Sequence, residues 1–394
     1  MDRTRIVLKS GKDGAVLRQH PWIFSGAIKK VYGPTQEGDI VEVFNNKDRF
    51  LGIGHWGNGS IAVRIFSFEL VEPDFSFWKK KIQTAYNVRE SLSLTQNDKT
   101  NVYRLVFAEG DGLPGLIIDI YNKTAVIQAH SVGMYLLKED IAKALQETYK
   151  ERLDTIYVKS KESLPKNLPF DVDNHFIIGE KESDIVIENG NQFEVNWVKG
   201  QKTGFFIDQR FNRELVGKYS KGKRVLNTYC YTGGFSIYAL NGDAKEVHSV
   251  DSSKIAIELT DANVKLSGHN INKHKSFAID TMSFLNEMED AYDLIILDPP
   301  AFAKHRDVRH KAVQGYKRIN ATAFNKIAKG GILFTFSCSQ VVDRRLFEST
   351  VLAAAIQSGR KVRVLHHLSQ PADHPVSIYH PEGEYLKGMV LFVE

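Results

Sequence analysis

The stretches Asp293-Leu-Ile-Ile-Leu-Asp-Pro-Pro300 and Gly331-Ile-Leu-Phe-Thr-Phe-Ser-Cys-Ser339 carry the strongest signal of how this chain folds. Each is a short apolar run that is followed at once by a polar or reactive residue, Asp298 in the first and Cys338 in the second. Short apolar runs bounded by turn residues are typical of strands that are buried in a parallel sheet. Ligands of such sheets bind beyond the carboxyl ends of the strands. The two stretches therefore predict one cleft into which a carboxylate and a thiol both project.

The region after Gly200 alternates between strand-like and helix-like stretches. Strands are predicted in five apolar or β-branched runs, Arg224–Leu226, Glu246–Val250, Ser276–Ile279, Leu294–Leu297 and Ile332–Phe336. Between two of these runs, the stretch from Ile255 to Leu266 has its apolar residues at helix spacing. Such alternation predicts βαβ units and a mostly parallel sheet, and hence an α/β fold. A hairpin formed by Val362–Leu365 and Met389–Val393 is predicted to close the sheet.

Two regions with other patterns precede this α/β region. Residues 1–71 contain short alternating runs, such as Ile40-Val-Glu-Val-Phe44, between Asn and Gly turn signals, and predict a small β module. From Phe75 a helix-spaced stretch leads into a hairpin across Tyr121-Asn-Lys123, a helix at 134–150 and a strand at 155–158. A further hairpin is predicted with its turn at Asn189-Gly190. The predicted domains are therefore 1–71, an α+β domain at 75–185, and 186–394.

Length and composition are those of an ordinary globular protein. The chain has 394 residues, of which 42% are hydrophobic and 25% charged, and its net charge of +5 suits a polyanionic partner without requiring one. Cys230 and Cys338 are the only cysteines, which excludes a disulfide framework and a CxxC zinc motif. The apolar stretch at the N-terminus is much shorter than that of a signal peptide, and no run approaches the ~20 apolar residues of a membrane span. A cytoplasmic enzyme is the expectation.

A polar or reactive residue follows each predicted strand of the α/β region. These residues are Asn227, Asp251, Asp280, Asp298 and Cys338. One such residue is ordinary, because Asp and Asn are common in turns. A whole series along successive strands of one sheet indicates a built site.

The first strand-to-helix turn, Asn227-Thr-Tyr-Cys-Tyr-Thr-Gly-Gly-Phe235, points to a nucleoside. Gly233 and Gly234 let the backbone approach a ligand closely, although the pattern is not GxGxxG. Asp251 is placed to accept hydrogen bonds from both ribose hydroxyls, and no Arg or Lys beside it would receive a phosphate. These residues favour a nucleoside cofactor over NADP, with Asp280 available to the adenine amino group.

Asp298-Pro-Pro leaves two kinds of chemistry open. In amino methyltransferases such a turn accepts hydrogen bonds from an exocyclic NH2 group, whereas in a C5 methyltransferase the carboxyl group can hold the N3/N4 edge of cytosine. Cys338 favours the second, because a thiolate that adds to C6 of cytosine turns C5 into a nucleophilic enamine carbon. Cys230 lies inside the glycine turn and is expected to be structural.

A basic run follows the double proline, opposed by one acid, Asp307. Its members are Lys304, Arg306, Arg309, Lys311, Lys317 and Arg318. On the rim of the predicted cleft these side chains are expected to contact phosphate. They are also expected to lower the pKa of the Cys338 thiol from ~8.5 to ~7. Four histidines further on lack metal-ligand spacing, so no metal is expected; they are His366, His367, His374 and His380.

With these residues in view, the chain resembles the bacterial large-subunit rRNA cytosine-C5 methyltransferases that carry an N-terminal PUA domain. The resemblance covers nearly the full length. His20–Gly26 is similar to the family's PUA segment, and Gly200–Arg210 to the entry of its catalytic domain. Its later motifs are matched by Tyr231–Phe235, Asp298–Phe302, Phe336–Ser339 and Ala372–Val376. Together these segments are highly specific, although Asp-Pro-Pro or Thr-Gly-Gly alone would not be.

The resemblance implies a class I (Rossmann-like) methyltransferase domain, a PUA-like β-barrel and a middle α+β domain that grip RNA, and no metal. It implies S-adenosylmethionine at Asn227, Tyr229, Thr232, Gly233, Gly234, Asp251, Asp280, Asp298 and Gln209. Cys338 is implied as the nucleophile, and Gln209 with Arg210 is expected over the cofactor or the target base. One departure is Ala301, since other RNA cytosine-C5 enzymes have a second cysteine directly after the proline turn. Release of a covalent adduct must then use another base.

The sequence thus predicts an S-adenosylmethionine-dependent RNA methyltransferase. The expected product is 5-methylcytosine in 23S (large-subunit) rRNA, formed through a covalent bond between Cys338 and C6. Two alternatives remain: a methyltransferase of the same fold that acts on a base nitrogen with the thiol idle, and a non-catalytic RNA-binding ribosome assembly factor. The expected partner is rRNA, without a membrane, and a homodimer is left open.

Overall fold

The computed structural model describes residues 3–289, 291–303 and 305–394. The described residues divide into two compact units. The first comprises residues up to Asp184 with Val195–Phe205 and Ala372–Gly383, and the second comprises Ile185–Glu194, Phe206–Pro371 and Glu384–Glu394. The first two predicted domains therefore lie in one compact unit, which also contains residues 372–383. The division at 71 and 186 stays a prediction.

The N-terminal module is a mixed sheet with the strand order β2-β6-β5-β4-β1-β3. Its elements are β1 (Thr4–Leu8), the short helix α1 (Gly14–Leu17), β2 (Trp22–Phe24), β3 (Ile28–Tyr32), β4 (Ile40–Phe44), β5 (Phe50–Trp56) and β6 (Ile61–Ser67). Along β4, alternate residues are buried, so that Val41 and Val43 pack with Ile6 and Val63 in one apolar core. The alternating pattern in the sequence predicted this arrangement, because side chains along a strand point to opposite faces.

The α+β region after it is a sheet with the order β11-β10-β9-β8-β7, covered by helices. Its elements are α2 (Phe75–Ser91), β7 (Val102–Phe107), β8 (Leu116–Tyr121), β9 (Thr124–Ala129), α3 (Val132–Leu136), α4 (Lys138–Tyr149), β10 (Thr155–Val158) and β11 (His175–Ile178). Helix α2 begins where the Asp74 carboxylate accepts a hydrogen bond from the Phe77 amide (2.9 Å). The helix predicted at 134–150 is divided at Leu137 into α3 and α4.

Buried charges explain why residues 372–383 belong to the first unit, although the sequence assigned them to the last domain. Arg89 forms an ion pair with Asp111 and donates to the carbonyl oxygen of Asp373 (2.8 Å). The Asp373 carboxylate accepts from the backbone amide of Arg104 (3.0 Å), whose guanidinium pairs with Asp119 (2.8 Å). Buried charges are costly unless they are paired and hydrogen-bonded. Segment 372–383 supplies part of that pairing, which no local sequence pattern reveals.

A hairpin follows, formed by β12 (Ser183–Glu188) and β13 (Asn191–Asn196). Its turn residues Asn189 and Gly190 have φ angles of 50° and 81°, as a type I′ turn requires. The turn was predicted from the Asn-Gly pair, and the structure confirms it. Residues 185–194, which include this turn, belong to the second unit.

The second unit is built on a sheet with the order β16-β15-β14-β17-β18-β20-β19. Its elements are α5 (Arg210–Tyr219), β14 (Arg224–Thr228), α6 (Gly234–Asn241), β15 (Glu246–Asp251), α7 (Lys254–Leu266), β16 (His274–Ala278), α8 (Thr281–Glu287), β17 (Leu294–Leu297), α9 (Arg309–Lys326), β18 (Gly331–Ser337), α10 (Arg344–Ser358), β19 (Val362–Ser369) and β20 (Lys387–Val393). Strands β14 to β18 are parallel, and the β19–β20 hairpin joins β18 in antiparallel fashion. The predicted strands and the closing hairpin are confirmed.

The order of the strands reverses between β14 and β17, which are neighbours although two strands intervene in the sequence. The carboxyl ends of the parallel strands meet at one edge of the sheet, and the crevice at such a reversal is where open α/β sheets bind ligands. In the part of the chain that the structure describes, no helix combines the length and the apolar content needed to cross a bilayer.

Candidate active site

The strand ends bring the predicted site residues to one edge of the sheet. Asp251 is the last residue of β15, Asp298 directly follows β17, and Cys338 directly follows β18. In the parallel ladders Thr228 pairs with Leu297, and Leu297 with Thr335. The glycine turn, the Asp-Pro-Pro loop and the Ser-Cys-Ser turn therefore leave neighbouring strands at the same edge, as the sequence predicted.

The glycine turn after β14 has an unusual backbone. Tyr229, Tyr231 and Gly233 have φ angles of 54°, 48° and 78°. Positive φ costs a bulky residue roughly 1–3 kcal/mol, and it persists where the surroundings impose it. The Tyr231 amide donates to Asp251 Oδ2 (3.1 Å), and the Thr260 hydroxyl donates to the Tyr231 carbonyl (2.8 Å). Strain of this kind is common at ligand sites.

Gly233 cannot be replaced in this turn without disturbing it. A Cβ atom there would lie 2.8 Å from Cγ2 of Thr260, and the φ angle of 78° is one that side chains rarely adopt. Gly233 is also the residue directly before α6, and among the described residues no side chain caps this end of the helix. Gly233 and Gly234 leave the backbone at the start of α6 without side chains, which fits the nucleoside expected from the sequence.

Asp251 and Asp280 each combine a structural role with a possible ligand role. Asp251 is half-buried and accepts from the amides of Tyr231 (3.1 Å) and Ser253 (2.9 Å). A carboxylate has about four acceptor positions, so ribose hydroxyls can still donate to it. Asp280 is exposed and caps α8 by accepting from the Ser283 amide (2.9 Å). Both remain predicted cofactor residues.

Three other predicted cofactor residues lie behind the turn or within it. Asn227 is fully buried and its amide donates to the Ser236 hydroxyl (2.9 Å), so the side chain supports the turn from inside the protein. Thr232 is also buried, and its carbonyl accepts from Asn263 (3.0 Å). Tyr229 is half-buried, and burial raises the pKa of its hydroxyl to about 12. Direct contact of these side chains with a cofactor stays a prediction.

Gln209 lies against Asp298, and a series of donors fixes its orientation. The Ser369 carbonyl can only accept, so Asn212 presents its Nδ2 there (3.3 Å) and to Gln209 Oε1 (2.6 Å). Gln209 must then present Nε2, which donates to Asp298 Oδ2 (2.9 Å). Because Oδ2 is held as an acceptor, a proton on this carboxyl group belongs on Oδ1.

Asp298 holds a proton unusually well. Burial, and then the negative charge of Asp208, raise the pKa of Asp298 to about 7 against the opposing hydrogen bond from Gln209. Near neutral pH this group is therefore protonated in a large fraction of molecules. A protonated carboxyl group can donate a hydrogen bond as well as accept one.

Asp208 belongs to this site, and the sequence analysis did not single it out. The Tyr385 hydroxyl donates to its Oδ2, while Oδ1 is buried and has no hydrogen-bond partner among the described residues. It immediately precedes Gln209 in the stretch Gly200–Arg210, which was noted for its resemblance. Its position in that stretch is the one feature of the sequence that could have identified Asp208 as a site residue.

The Cys338 thiol is not ionised in advance, which corrects the expectation from the sequence. Burial, and then the negative charges of Asp298 and Asp208, raise its pKa to about 11. The lowering charge comes from Lys387. The basic run was expected to lower this pKa, but no described side chain of the run is among the main causes of its shift. In that run Arg309, Lys311 and Arg318 are exposed on α9, Lys317 is half-buried, and Lys304 and the side chain of Arg306 lie outside the described residues.

The turn that carries Cys338 is held on both sides. The Ser339 hydroxyl donates to the carbonyl of Ala303, which lies in the loop after Asp298 (2.8 Å), and Lys387 Nζ donates to the Ser339 carbonyl (2.7 Å). The carboxyl group and the thiol therefore stand on connected loops. Cys230, by contrast, is buried, and burial raises its pKa to about 12, as expected of a structural thiol.

A histidine cluster in the first unit does not fit a metal ion. His20, His380 and Glu382 bring one ligand atom each within 4.8 Å of one another. However, His20 Nδ1 accepts from the Trp22 amide (3.2 Å), so the neutral ring carries its proton on Nε2, the atom that faces Glu382 at 3.4 Å. A ligating histidine needs the opposite arrangement, with a lone pair toward the metal.

Comparisons with known proteins identify the family of this chain. Residues 166–377 match the family described as S-adenosylmethionine-dependent methyltransferase, and residues 6–68 match the PUA-like domain family. The chain is 40% identical to a protein of Aeromonas salmonicida named ribosomal RNA large subunit methyltransferase I, over 98% of both chains. It is 39% identical to the protein of the same name from Tolumonas auensis, over 98% of this chain and 99% of that protein.

Solved structures show the same fold over the whole length. A chain described as a SAM-dependent methyltransferase from Streptococcus mutans has a TM-score of 0.85 and 22% identity, with 99% of this chain and all of that chain covered. A methyltransferase complexed with SAH has a TM-score of 0.86, also at 22% identity. The α/β fold with a PUA-like N-terminal domain is thereby confirmed. The chain belongs to the S-adenosylmethionine-dependent methyltransferases that carry a PUA-like domain, in the family of the ribosomal RNA large subunit methyltransferase I proteins.

Proposed function

We propose that this chain methylates C5 of a cytosine in large-subunit rRNA, with Cys338 as a transient nucleophile. The names of relatives that match over nearly the whole length support rRNA as the substrate. The observation that carries the choice of C5 is the pairing of a thiol, Cys338, with a proton-holding carboxyl group, Asp298, on connected loops. A base-nitrogen methyltransferase has no need of the thiol.

The glycine turn and Asp251 would hold the nucleoside of S-adenosylmethionine. Positive φ at Gly233 and the contact that a Cβ would make with Thr260 explain why this turn, packed against α7, needs glycine. When bound, the cofactor supplies an electrophilic methyl group. The task of the protein is then to make C5 nucleophilic, since that carbon does not react unaided.

The residues of the chain supply that activation. The sulfur of Cys338 adds its electron pair to C6, and the C5–C6 π electrons move into the ring toward N3. Asp298 donates its proton to N3, which neutralises the charge that develops there. The enamine carbon C5 then accepts the methyl group. Loss of the C5 proton to a base, with return of the electron pair to sulfur, breaks the C6–S bond. Return of the N3 proton to the Asp298 carboxylate then restores the neutral aromatic ring.

We assign the role of this base to Asp208. The chain has Ala301 where related enzymes are expected to have a second cysteine, so another group must take the C5 proton. Asp208 contributes negative charge to the site and has a buried oxygen with no hydrogen-bond partner in the described part of the chain. An unoccupied carboxylate oxygen is a suitable proton acceptor.

The state of Asp298 argues against a base-nitrogen enzyme. For that chemistry the carboxylate must be ionised, so that it accepts hydrogen bonds from an NH2 group. A pKa near 7 instead favours a group that donates a proton. A non-catalytic assembly factor would have no use for the shaped glycine turn, and isothermal titration with S-adenosylmethionine tests that alternative, since absence of binding would support it.

Cys338→Ala provides the direct test of the proposal. Wild-type and variant proteins are incubated with unmodified large-subunit rRNA and S-adenosylmethionine, and nucleosides from the digested RNA are analysed by mass spectrometry. We expect 5-methylcytidine from the wild type and at least ~1000-fold less from the variant, because the nucleophile is lost. Equal formation of a methylated base by both proteins would remove the C5 mechanism. Calorimetric titration with S-adenosylmethionine controls for folding of the variant.

A further inference from the structure

We propose that Lys387 governs ionisation of the Cys338 thiol, its amine taking the thiol proton to leave a thiolate beside an ammonium ion. The S–H bond breaks, an N–H bond forms, and the electron pair stays on sulfur. This inference deepens the proposed function and rests on it, because that thiolate is the nucleophile of the reaction. Its test measures the thiol directly, without methyl transfer.

The position of Lys387 in the sheet carries the inference. Lys387 is the first residue of β20 and stands directly opposite Ser337 in the antiparallel ladder with β18. Its Nζ donates to the carbonyl of Ser339 (2.7 Å). The backbone of Lys387 thus faces the residue before Cys338, and its amine reaches the residue after it. The amine is thereby held against the turn that presents the thiol.

Lys387 is an unusual lysine because it is buried and forms no ion pair with any described residue of the chain. Its exposed fraction is 4%. The acids on neighbouring elements are engaged elsewhere, since Glu384 pairs with Arg344 (2.6 Å) and Asp343 caps α10 by accepting from Leu346 (2.9 Å). A buried ammonium without a carboxylate partner is costly, and lysines that persist in such places are often functional.

The charges of the two groups influence each other. Burial, together with the charge of Arg344, lowers the pKa of Lys387 to about 8 against the opposing charges of Cys338, Glu384 and Asp343. Burial together with Asp298 and Asp208 raises the pKa of Cys338, whereas Lys387 lowers it. A neutral amine is therefore accessible near pH 8. Transfer from thiol to amine is uphill in the resting site, so a small fraction of molecules holds the thiolate–ammonium pair, and this fraction is the one that reacts.

The test compares alkylation of Cys338 across pH in wild type, Lys387→Met and Lys387→Arg. Iodoacetamide is the probe, and mass mapping of the peptides follows each thiol separately, because the chain has two cysteines and Cys230 is an internal buried reference. Without the positive charge, K387M should shift the profile by at least one pH unit upward, with alkylation at pH 8 about tenfold slower. K387R keeps the charge and should keep the wild-type rate or exceed it.

Methylation separates the charge of Lys387 from its role as a proton acceptor. Arginine stays protonated, so K387R should alkylate readily and yet form 5-methylcytidine at least ~10-fold more slowly than the wild type. Lys361→Met, at an exposed lysine one residue before β19, is the matched control and should leave both measurements at wild-type values. Thermal unfolding and calorimetric titration with S-adenosylmethionine verify that each variant folds.

The outcomes distinguish this inference from the proposed function. If the K387M alkylation profile coincides with that of the wild type, the role of Lys387 is refuted, even when Cys338→Ala abolishes methylation. If the profile shifts while Cys338→Ala methylates normally, the lysine–thiol pair stands and the C5 mechanism is refuted. If K387R methylates at the wild-type rate, Lys387 acts only as a charge and the proton transfer is overturned.

Discussion

Gln209 donates a hydrogen bond from Nε2 to Oδ2 of Asp298 over 2.9 Å, and its own orientation is fixed through Asn212 by a backbone carbonyl. The carboxyl group thus has one oxygen that accepts and one that is available for the proton. This difference between the two oxygens suits donation of a proton to a ring nitrogen. A carboxyl group that rotated freely would present either oxygen to that nitrogen. The same hydrogen bond lowers a pKa that burial and the charge of Asp208 raise.

The raised pKa of Asp298 predicts a pH-dependent difference in stability. The value is about 7 in the folded chain and ~4 in an unfolded one, so between these values the folded chain binds the additional proton. The stabilisation is complete below pH ~4 and is lost as the pH rises through 7. Relative to Asp298→Asn, which does not titrate, the free energy of unfolding of the wild type should fall by up to about 4 kcal/mol across this range.

Urea unfolding of both proteins at pH 4.5, 6 and 7.5 measures this difference. Asp307→Asn, at an exposed aspartate of the same unit, is the control and should track the wild type within about 0.5 kcal/mol at each pH. A constant difference between wild type and Asp298→Asn at all three pH values would contradict the raised pKa.

Gly233→Ala should weaken binding of S-adenosylmethionine more than it destabilises the fold. The new Cβ meets Thr260 at 2.8 Å and the residue must keep a φ of 78°, so the turn shifts. Gly222→Ala is the matched control, since its φ is 71° and a Cβ there has nothing within 4 Å. Both variants should lose about 1–2 kcal/mol of unfolding free energy, from the left-handed backbone.

Calorimetric titration separates the two effects. We expect an affinity at least ~10-fold lower for Gly233→Ala and a wild-type affinity for Gly222→Ala. If both variants bind S-adenosylmethionine as the wild type does, the glycine turn does not hold the cofactor.

Local patterns in the sequence predicted most of the second unit. The apolar runs of β17 and β18 and the Asn-Gly turn of the β12–β13 hairpin are specified by neighbouring residues, and the structure contains them. The position of Cys338 and Asp298 at one sheet edge follows from parallel pairing alone. Such features need no knowledge of distant contacts.

The features that the sequence analysis missed depend on long-range burial. Lys387 is separated by many residues from Cys338, and only the antiparallel pairing of β20 with β18 brings the two together. The expectation that the basic run would lower the thiol pKa was wrong because burial raises that pKa and the lowering charge comes from Lys387, the first residue of β20. The place of residues 372–383 in the first unit depends on buried partners for Arg89 and Arg104.

Asp208→Asn should trap the covalent adduct. If the Asp208 carboxylate takes the C5 proton, its amide replacement still allows sulfur to add to C6 and C5 to be methylated, but elimination stalls. A protein–RNA complex that survives denaturing electrophoresis should then accumulate to at least ~10-fold above wild-type levels in the presence of S-adenosylmethionine. The complex should be absent from the double variant Asp208→Asn, Cys338→Ala.

Asp298→Asn distinguishes the two carboxyl groups. Without a proton donor for N3, addition itself should slow, so neither adduct nor product should accumulate. Adduct formation by Asp298→Asn but not by Asp208→Asn would reverse the two assignments.

Arg89→Met should destabilise the first unit by about 3–5 kcal/mol, because it leaves the buried Asp111 carboxylate without its partner. It also removes the donor to the Asp373 carbonyl, which holds segment 372–383. Lys161→Met is the control, since its pair with Asp173 is exposed and solvent screens it, so its loss should change stability little. Urea unfolding measures both variants, and limited proteolysis with mass mapping should show earlier cleavage within 372–383 in Arg89→Met alone. Equal loss of stability in the two variants would mean that this buried pair does not hold the segment.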